Sequence, residues 1–279
     1  MRETRISAMV GFQIAFLIFA VVFLNAPLDK FIFDEWQWAR DLDIPLGRAA
    51  LILTGGLLLY AVPMLRRRCG ELLSPRIPRG RRREVLVALA MSYLVCAGAF
   101  GALALWTWSL GGEPALARKM GETATAESQW SHALSPGGIV FFVFTAGLLA
   151  PVVEELVFRG FLFRAWQAAW GWVAAALASS LVFGLFHGLV VPQMLGGLVF
   201  VAAMRRTGSI RTNIYTHALF NFSLWYPLLG QFLLPEGRST GELHLWTAHL
   251  VCLGLAVIAL PWYLWSARDS KVPGLALFR

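Results

Sequence analysis

Two adjacent carboxylates stand in an apolar run that reads Ala150-Pro151-Val152-Val153-Glu154-Glu155-Leu156-Val157-Phe158-Arg159-Gly160. A charge at the centre of a bilayer costs about 2.5 to 3.5 kcal/mol on insertion scales, so charges retained there need a reason. On a helix Glu155 and Arg159 are i,i+4 and share a face, where the guanidinium can neutralise that carboxylate through a charge-assisted pair. Glu154 lies about 100° around the same helix and has no partner close in sequence. An ion pair that only holds helices together needs one glutamate. The second is surplus to that task, and a carboxyl group in a low-dielectric setting is what a general base requires.

Two more polar pairs follow at helical spacing. Phe183-Gly184-Leu185-Phe186-His187 puts an aromatic ring one turn before an imidazole, where Phe183 either walls a substrate pocket beside His187 or packs as ordinary core. His217-Ala218-Leu219-Phe220-Asn221 projects an imidazole and a carboxamide from one face, an arrangement that also serves simple hydrogen bonding between membrane helices. Jointly, Glu154, Glu155, Arg159, His187, His217 and Asn221 hold most of the strongly polar positions in three apolar stretches and can face one another in a bundle. Simple spans place Glu154 and His217 near the midplane and His187 about 9 Å further out, a gap that tilt or a break at Pro192 would close. Zinc is an alternative cofactor, with Glu154, His187, His217 and Asn221 as ligands around an open water position. No His-Glu-x-x-His helix is present and Asn is an uncommon zinc ligand, so the metal-free reading, with no cofactor, is preferred. His132, His244 and His249 fall in or beside loops and read as solvated or interfacial.

The elements that must position these groups are helices in a membrane. The 279 residues are 58% hydrophobic and 14% charged, with mean hydropathy +0.63, whereas soluble domains carry about 25% charged residues. That excludes a soluble globular enzyme and a disordered chain. Apolar windows at about 8–26, 49–65, 85–110, 138–163, 172–191, 192–204, 210–230 and 243–265 predict an all-α polytopic bundle of eight spans. The sixth has only about 13 residues and is expected to tilt, kink at Pro192 or re-enter. The first is too long for a signal peptide, and Leu24-Asn25-Ala26-Pro27 is a poor cleavage site, so it is read as a retained anchor.

With the N-terminus cytoplasmic, inner segments hold 17 Lys and Arg and outer loops 6, an asymmetry that places both termini in the cytoplasm. The loops at 27–48, 66–84 and 111–137 are too short to fold alone. The chain divides into N-terminal spans at 1–137, a core at 138–230 and a last loop, span and tail at 231–279. The net charge of +8 is explained by loop arginines rather than by nucleic acid. Cys69, Cys96 and Cys252 are scattered and carry no metal-ligand spacing.

The three motifs, Glu154, Glu155 and Arg159, then Phe183 and His187, then His217 and Asn221, resemble those of the CAAX-prenyl-protease and bacteriocin-processing family of intramembrane glutamic endopeptidases. The resemblance runs from about 138 to 230. It implies a peptidase cleaving near the C-terminus of a membrane-associated protein or peptide substrate; the arginine-rich, compact loops place the chain in a prokaryotic inner membrane. The resemblance further implies that Glu154 with His187 activates water, that His217 with Asn221 holds the oxyanion, and that Arg159 holds Glu155. The alternative is a non-proteolytic immunity or scaffold protein, or a transporter, on the same scaffold.

Overall fold

The computed structural model describes residues 9–16, 46–131, 140, 143–187, 189–224 and 242–270. From Leu46 on these form eight α-helices joined by π-helical and 3-10 segments, with a further helical stretch at 9–16 and no strand among the described residues. Among the described residues three stretches are long and apolar enough to cross a membrane: Arg79–Lys119, Val143–Phe186 and Leu243–Ser266. Of the expected first span only 9–16 is described, as helix, and its Phe12 ring meets Trp166 and Trp170 edge-on at 5.8 and 5.5 Å.

Helix α1 (Leu46–Ala61) gives way at an extended Val62 to α2 (Pro63–Leu73). Proline opens α2 because the first helical N–H has no partner to lose. Part of the expected arginine loop at 66–84 is therefore helical. Arg67 and Arg68 both reach Glu71, at 3.3 and 2.7 Å, the i,i+4 and i,i+3 pairs that favour a helix. Leu72 and Cys69 bury its inner face.

Helix α3 (Glu84–Ser131) breaks at Gly111 and Gly112, the latter at φ 62°. The expected span end at 110 is met, but the expected loop at 111–137 is helical as far as Ser131. The next rod runs through a π-helical segment (Val143–Leu149), α4 (Ala150–Glu155), a second π-helical segment (Leu156–Leu162) and into α5 (Phe163–Phe186). It turns at Gly171, whose φ of 79° lies in the left-handed region that L side chains avoid. The apolar windows left 164–171 between two spans, with Arg164 counted among the inner-segment charges; Gly171 is the last residue of that gap, and Arg164 is instead buried within the rod. The two arms pack antiparallel: Phe158 meets Phe183 at 5.1 Å between ring centroids.

Helix α6 (Val190–Thr207) has 18 residues and so rises about 27 Å. It is not the short, kinked span expected at 192–204, because Pro192 falls in its first turn, where no intrahelical N–H bond is lost. Helices α7 (Ile210–Leu224) and α8 (Thr247–Ser266) complete the bundle.

Arginines tie one end of this bundle together. Arg206 donates to Glu84 at the start of α3 (2.7 Å), which also accepts from Tyr263 of α8 (2.5 Å). Arg205 donates to the Ala267 and Arg268 carbonyls beyond α8, and Arg211 of α7 to the Leu73 carbonyl. The ends of α2, α3, α6, α7 and α8 therefore share one arginine-rich face. For helices that cross a membrane, lipid tails are as apolar as leucine, so burial between helices gains little, and polar ties of this kind together with close packing hold a bundle.

Candidate active site

The hairpin folded at Gly171 supplies half of the site. Glu154 lies 17 residues before the turn and His187 lies 16 after it, so antiparallel arms bring them level. The 9 Å offset expected from simple spans came from ending the fourth span at 163, whereas the first arm runs on to Gly171. His187 ends α5: its backbone N–H bonds the Gly184 carbonyl at 3.0 Å, and its ring Nδ1 donates to the Phe183 carbonyl at 2.8 Å. Gly184 abuts the first turn of α6, where an added Cβ would come within 2.4 Å of the Val190 carbonyl oxygen. Only glycine allows α5 and α6 to approach so closely just before the imidazole.

Phe183 is buried and serves two neighbours. The Arg159 guanidinium stands over its ring at 4.2 Å, and the His187 ring lies 4.3 Å from it. Phe200 of α6 meets the same guanidinium at 5.2 Å. Arg159 thus combines a carboxylate partner with aromatic faces, which suit a weakly hydrated planar cation.

Glu155 is fully enclosed. Its Oε1 accepts from Arg159 Nη1 at 3.0 Å and faces His217 Nδ1, also at 3.0 Å. Its Oε2 accepts from Asn213 Nδ2 at 3.2 Å. Asn213 was not singled out from the sequence, although it stands i−4 from His217, the spacing that drew Asn221 in from the other side.

Glu154 faces the imidazoles. Its Oε2 lies 3.4 Å from His187 Nε2 and 3.8 Å from His217 Nε2, buried and without a hydrogen-bond donor among the described residues. Both rings have committed Nδ1 elsewhere, so each neutral ring would turn a lone pair toward a carboxylate oxygen. Acceptors converging in this way need a proton, a donating water or a cation between them. Charge balance points the same way: Glu154 and Glu155 bring two negative charges against one from Arg159, and one further proton would make the cluster neutral. Among the described residues, no group of three or more His, Cys, Asp and Glu side chains is arranged to hold a metal ion.

Asn221 stands one turn beyond His217 on α7 and donates from Nδ2 to the Ala146 carbonyl at 2.8 Å. That carbonyl belongs to the first π-helical segment. Such segments interrupt the regular bonding ladder and recur at functional sites. The structure therefore gathers Glu154, Glu155, Arg159, His187 and His217 around one point, seats Phe183 beneath them, and sets Asn221 alongside. Of the remaining histidines, His132 lies outside the described residues and His244 is exposed, 3.1 Å from Glu242. His249, expected to be solvated or interfacial, is instead buried against the Trp246 ring at 4.9 Å, because the 3-10 turn Leu243–Trp246 folds that indole over the start of α8.

Residues 136–223 match the family model described as type II CAAX prenyl endopeptidase Rce1-like. The match bears out the resemblance carried by the three motifs, and it covers 88 of the 279 residues. No curated protein and no solved structure matches the chain.

Proposed function

We propose that this protein is an intramembrane endopeptidase that cuts near the C-terminus of a membrane-associated protein or peptide precursor, using water activated by Glu154. The observation that carries this reading is the buried Glu154 Oε2 facing two imidazole Nε2 atoms, with Glu155 already neutralised by other partners. The Rce1-like match over the same residues supports it.

A water set beside the Glu154–His187 pair, rather than between its atoms, donates one hydrogen bond to Glu154 and one to His187 Nε2, leaving an oxygen lone pair free to attack a peptide carbonyl carbon. Glu154 takes the water proton as the new C–O bond forms. With that water in place, the proton that neutralises the cluster sits on His217, whose Nδ1–H points at the Glu155 carboxylate. His217 then donates from Nε2 to the oxyanion, which a neutral ring with Nδ1 protonated could not do. Asn221 keeps a second amide N–H for the same oxygen. Preorganised donors of this kind act strongly in a dry site. The proton on Glu154 passes to the departing nitrogen as the C–N bond breaks, giving a new carboxyl and a free amine. Glu155, Arg159, Asn213 and Phe183 position these groups and do not meet the substrate.

Zinc is the second reading, favoured by one feature: both imidazoles anchor Nδ1 on a carbonyl or carboxylate, as metal-bound histidines commonly do. Glu154, His187 and His217 would be its ligands only after closing up, since as they stand they form no metal-holding group, and Asn221, bonded to the Ala146 carbonyl, would not be one. The bundle is assigned eight spans, cytoplasmic termini and a prokaryotic inner membrane, with no nucleic-acid partner.

The test is cleavage by the purified full chain of tagged membrane-anchored peptides, chosen from those that accumulate in a deletion strain. Glu154→Gln is isosteric and should fold normally while losing turnover; wild-type turnover would remove the assigned role. Full activity after chelation to zero metal content would exclude zinc, whereas stoichiometric zinc with zinc-restorable activity would exclude the metal-free mechanism. Absence of cleavage of every accumulated peptide by folded wild type would favour a scaffold or transporter.

A further inference from the structure

The arginine-rich face holds a pocket of about 370 Å³ lined by Arg76, Ile77, Arg82, Val85, Arg211 and Tyr215. The active site does not use it. Tyr215 is two residues before His217, so it projects about 200° around α7, on the far side from Glu154 and Glu155. Three guanidinium groups and no carboxylate line the pocket. Several arginines elsewhere have an acidic partner: Arg67 and Arg68 have Glu71, Arg159 has Glu155, Arg206 has Glu84 and Arg268 has Asp269. Among the described residues Arg76, Arg82 and Arg211 have no acidic partner. Like charges gathered without a counter-ion favour an anion arriving from outside.

The walls are built before any ligand binds. Arg211 Nε donates to the Leu73 carbonyl at 2.6 Å, and its two terminal amino groups have no partner among the described residues. Ser209 Oγ donates to the Pro75 carbonyl at 2.6 Å, and Thr216 Oγ1 to the Val85 carbonyl at 3.3 Å. Arg76 and Ile77 sit between Pro75 and Pro78, which restrict the loop backbone.

The pocket opens onto an apolar surface. Tyr215 and Leu219, i,i+4 on α7, are 50% and 42% exposed, and Leu86 on the first turn of α3 is 64% exposed. An ion lacking alkyl chains would leave that surface unused. We propose that this pocket binds the phosphate of an anionic membrane lipid, whose chains lie along Tyr215 and Leu219. Basic pockets between membrane helices on one leaflet recognise such headgroups.

The test uses the full chain, purified in detergent and stripped of lipid, with bound lipid counted by native mass spectrometry during titration with phosphatidylglycerol or phosphatidylcholine. Arg76→Gln with Arg82→Gln removes two exposed charges and breaks no bond described above. Each arginine near an anionic lipid is worth about fivefold in affinity, so this pair should weaken phosphatidylglycerol binding about 25-fold and leave phosphatidylcholine binding unchanged. Arg66→Gln with Arg67→Gln removes equal charge on α2 outside the pocket and should leave the lipid bound. Undiminished binding by the pocket variant, or equal loss in the α2 variant, would overturn the proposal. Displacement of the lipid by inorganic phosphate at matched concentration would also overturn it, by showing that the chains contribute nothing.

Discussion

Removing Arg159 tests whether the cluster is built as described, because the guanidinium has two separable roles. It supplies one of three hydrogen bonds to the enclosed Glu155, and its charge balances that carboxylate. Breaking a buried pair from one side strands the other charge at about 3 to 5 kcal/mol. The rings of Phe183 and Phe200, at 4.2 and 5.2 Å, lose a cation–π contact worth about 0.5 to 2 kcal/mol. Arg159→Met should therefore lower stability by about 3.5 to 7 kcal/mol, read by equilibrium denaturation of the purified protein in mixed detergent micelles. Adding Glu155→Gln removes the stranded charge, so the double variant should recover most of that loss. Turnover should not return with stability, since His217 would still lack the carboxylate that its Nδ1 faces. A single variant within 1 kcal/mol of wild type, or a double variant no more stable than the single, would refute the paired-charge account of Glu155.

Three other outcomes follow from the geometry. Gly184→Ala places a Cβ 2.4 Å from the Val190 carbonyl oxygen; the backbone must shift beside His187, and a displacement near 1 Å should lower kcat about 10²-fold, with Gly254→Ala in α8, where an added Cβ meets nothing within 4 Å, as the silent control. Asn221→Ala should lower kcat by about 10² to 10³ with little change in KM, since an oxyanion donor acts mainly in the transition state; an equal loss in KM alone would contradict that role. A cysteine at Ser74, on the arginine-rich face, should resist an impermeant thiol reagent in intact cells while one at His244, at the opposite end of α8, reacts; the reverse labelling would invert the assigned orientation.

What could be read from the sequence was what helical spacing encodes. The Glu155–Arg159, Phe183–His187 and His217–Asn221 pairs lie on single helix faces, so their i,i+4 relation survives every later detail of packing. The apolar windows likewise located helices, because a chain in hydrocarbon must satisfy its backbone internally. What escaped depended on contacts between helices or on deviations within them. Arg164 looked like a loop charge, and only the hairpin shows that the turn waits until Gly171. The helical part of the arginine segment rests on Glu71 pairs and a buried Leu72, which a hydropathy scan cannot register. The π-helical segments leave no hydropathy signature, since they change bonding rather than composition. Asn213 alone was within reach, by looking upstream of His217 as well as downstream.

The turn at Gly171 makes the site a matter of counting. Glu154 and His187 stand 17 and 16 residues from it, and nothing in either arm's composition sets that near-match. One residue inserted between Glu154 and Gly171 would carry Glu154 about 1.5 Å along the axis and about 100° around it, turning its carboxylate away from both imidazoles while leaving the arm just as apolar and as able to span the bilayer. Substitutions along the lipid-facing sides of these arms leave that register untouched. Arm length is thus held fixed more strictly than the identity of most residues within it, and a length change in one arm calls for a matching change in the other.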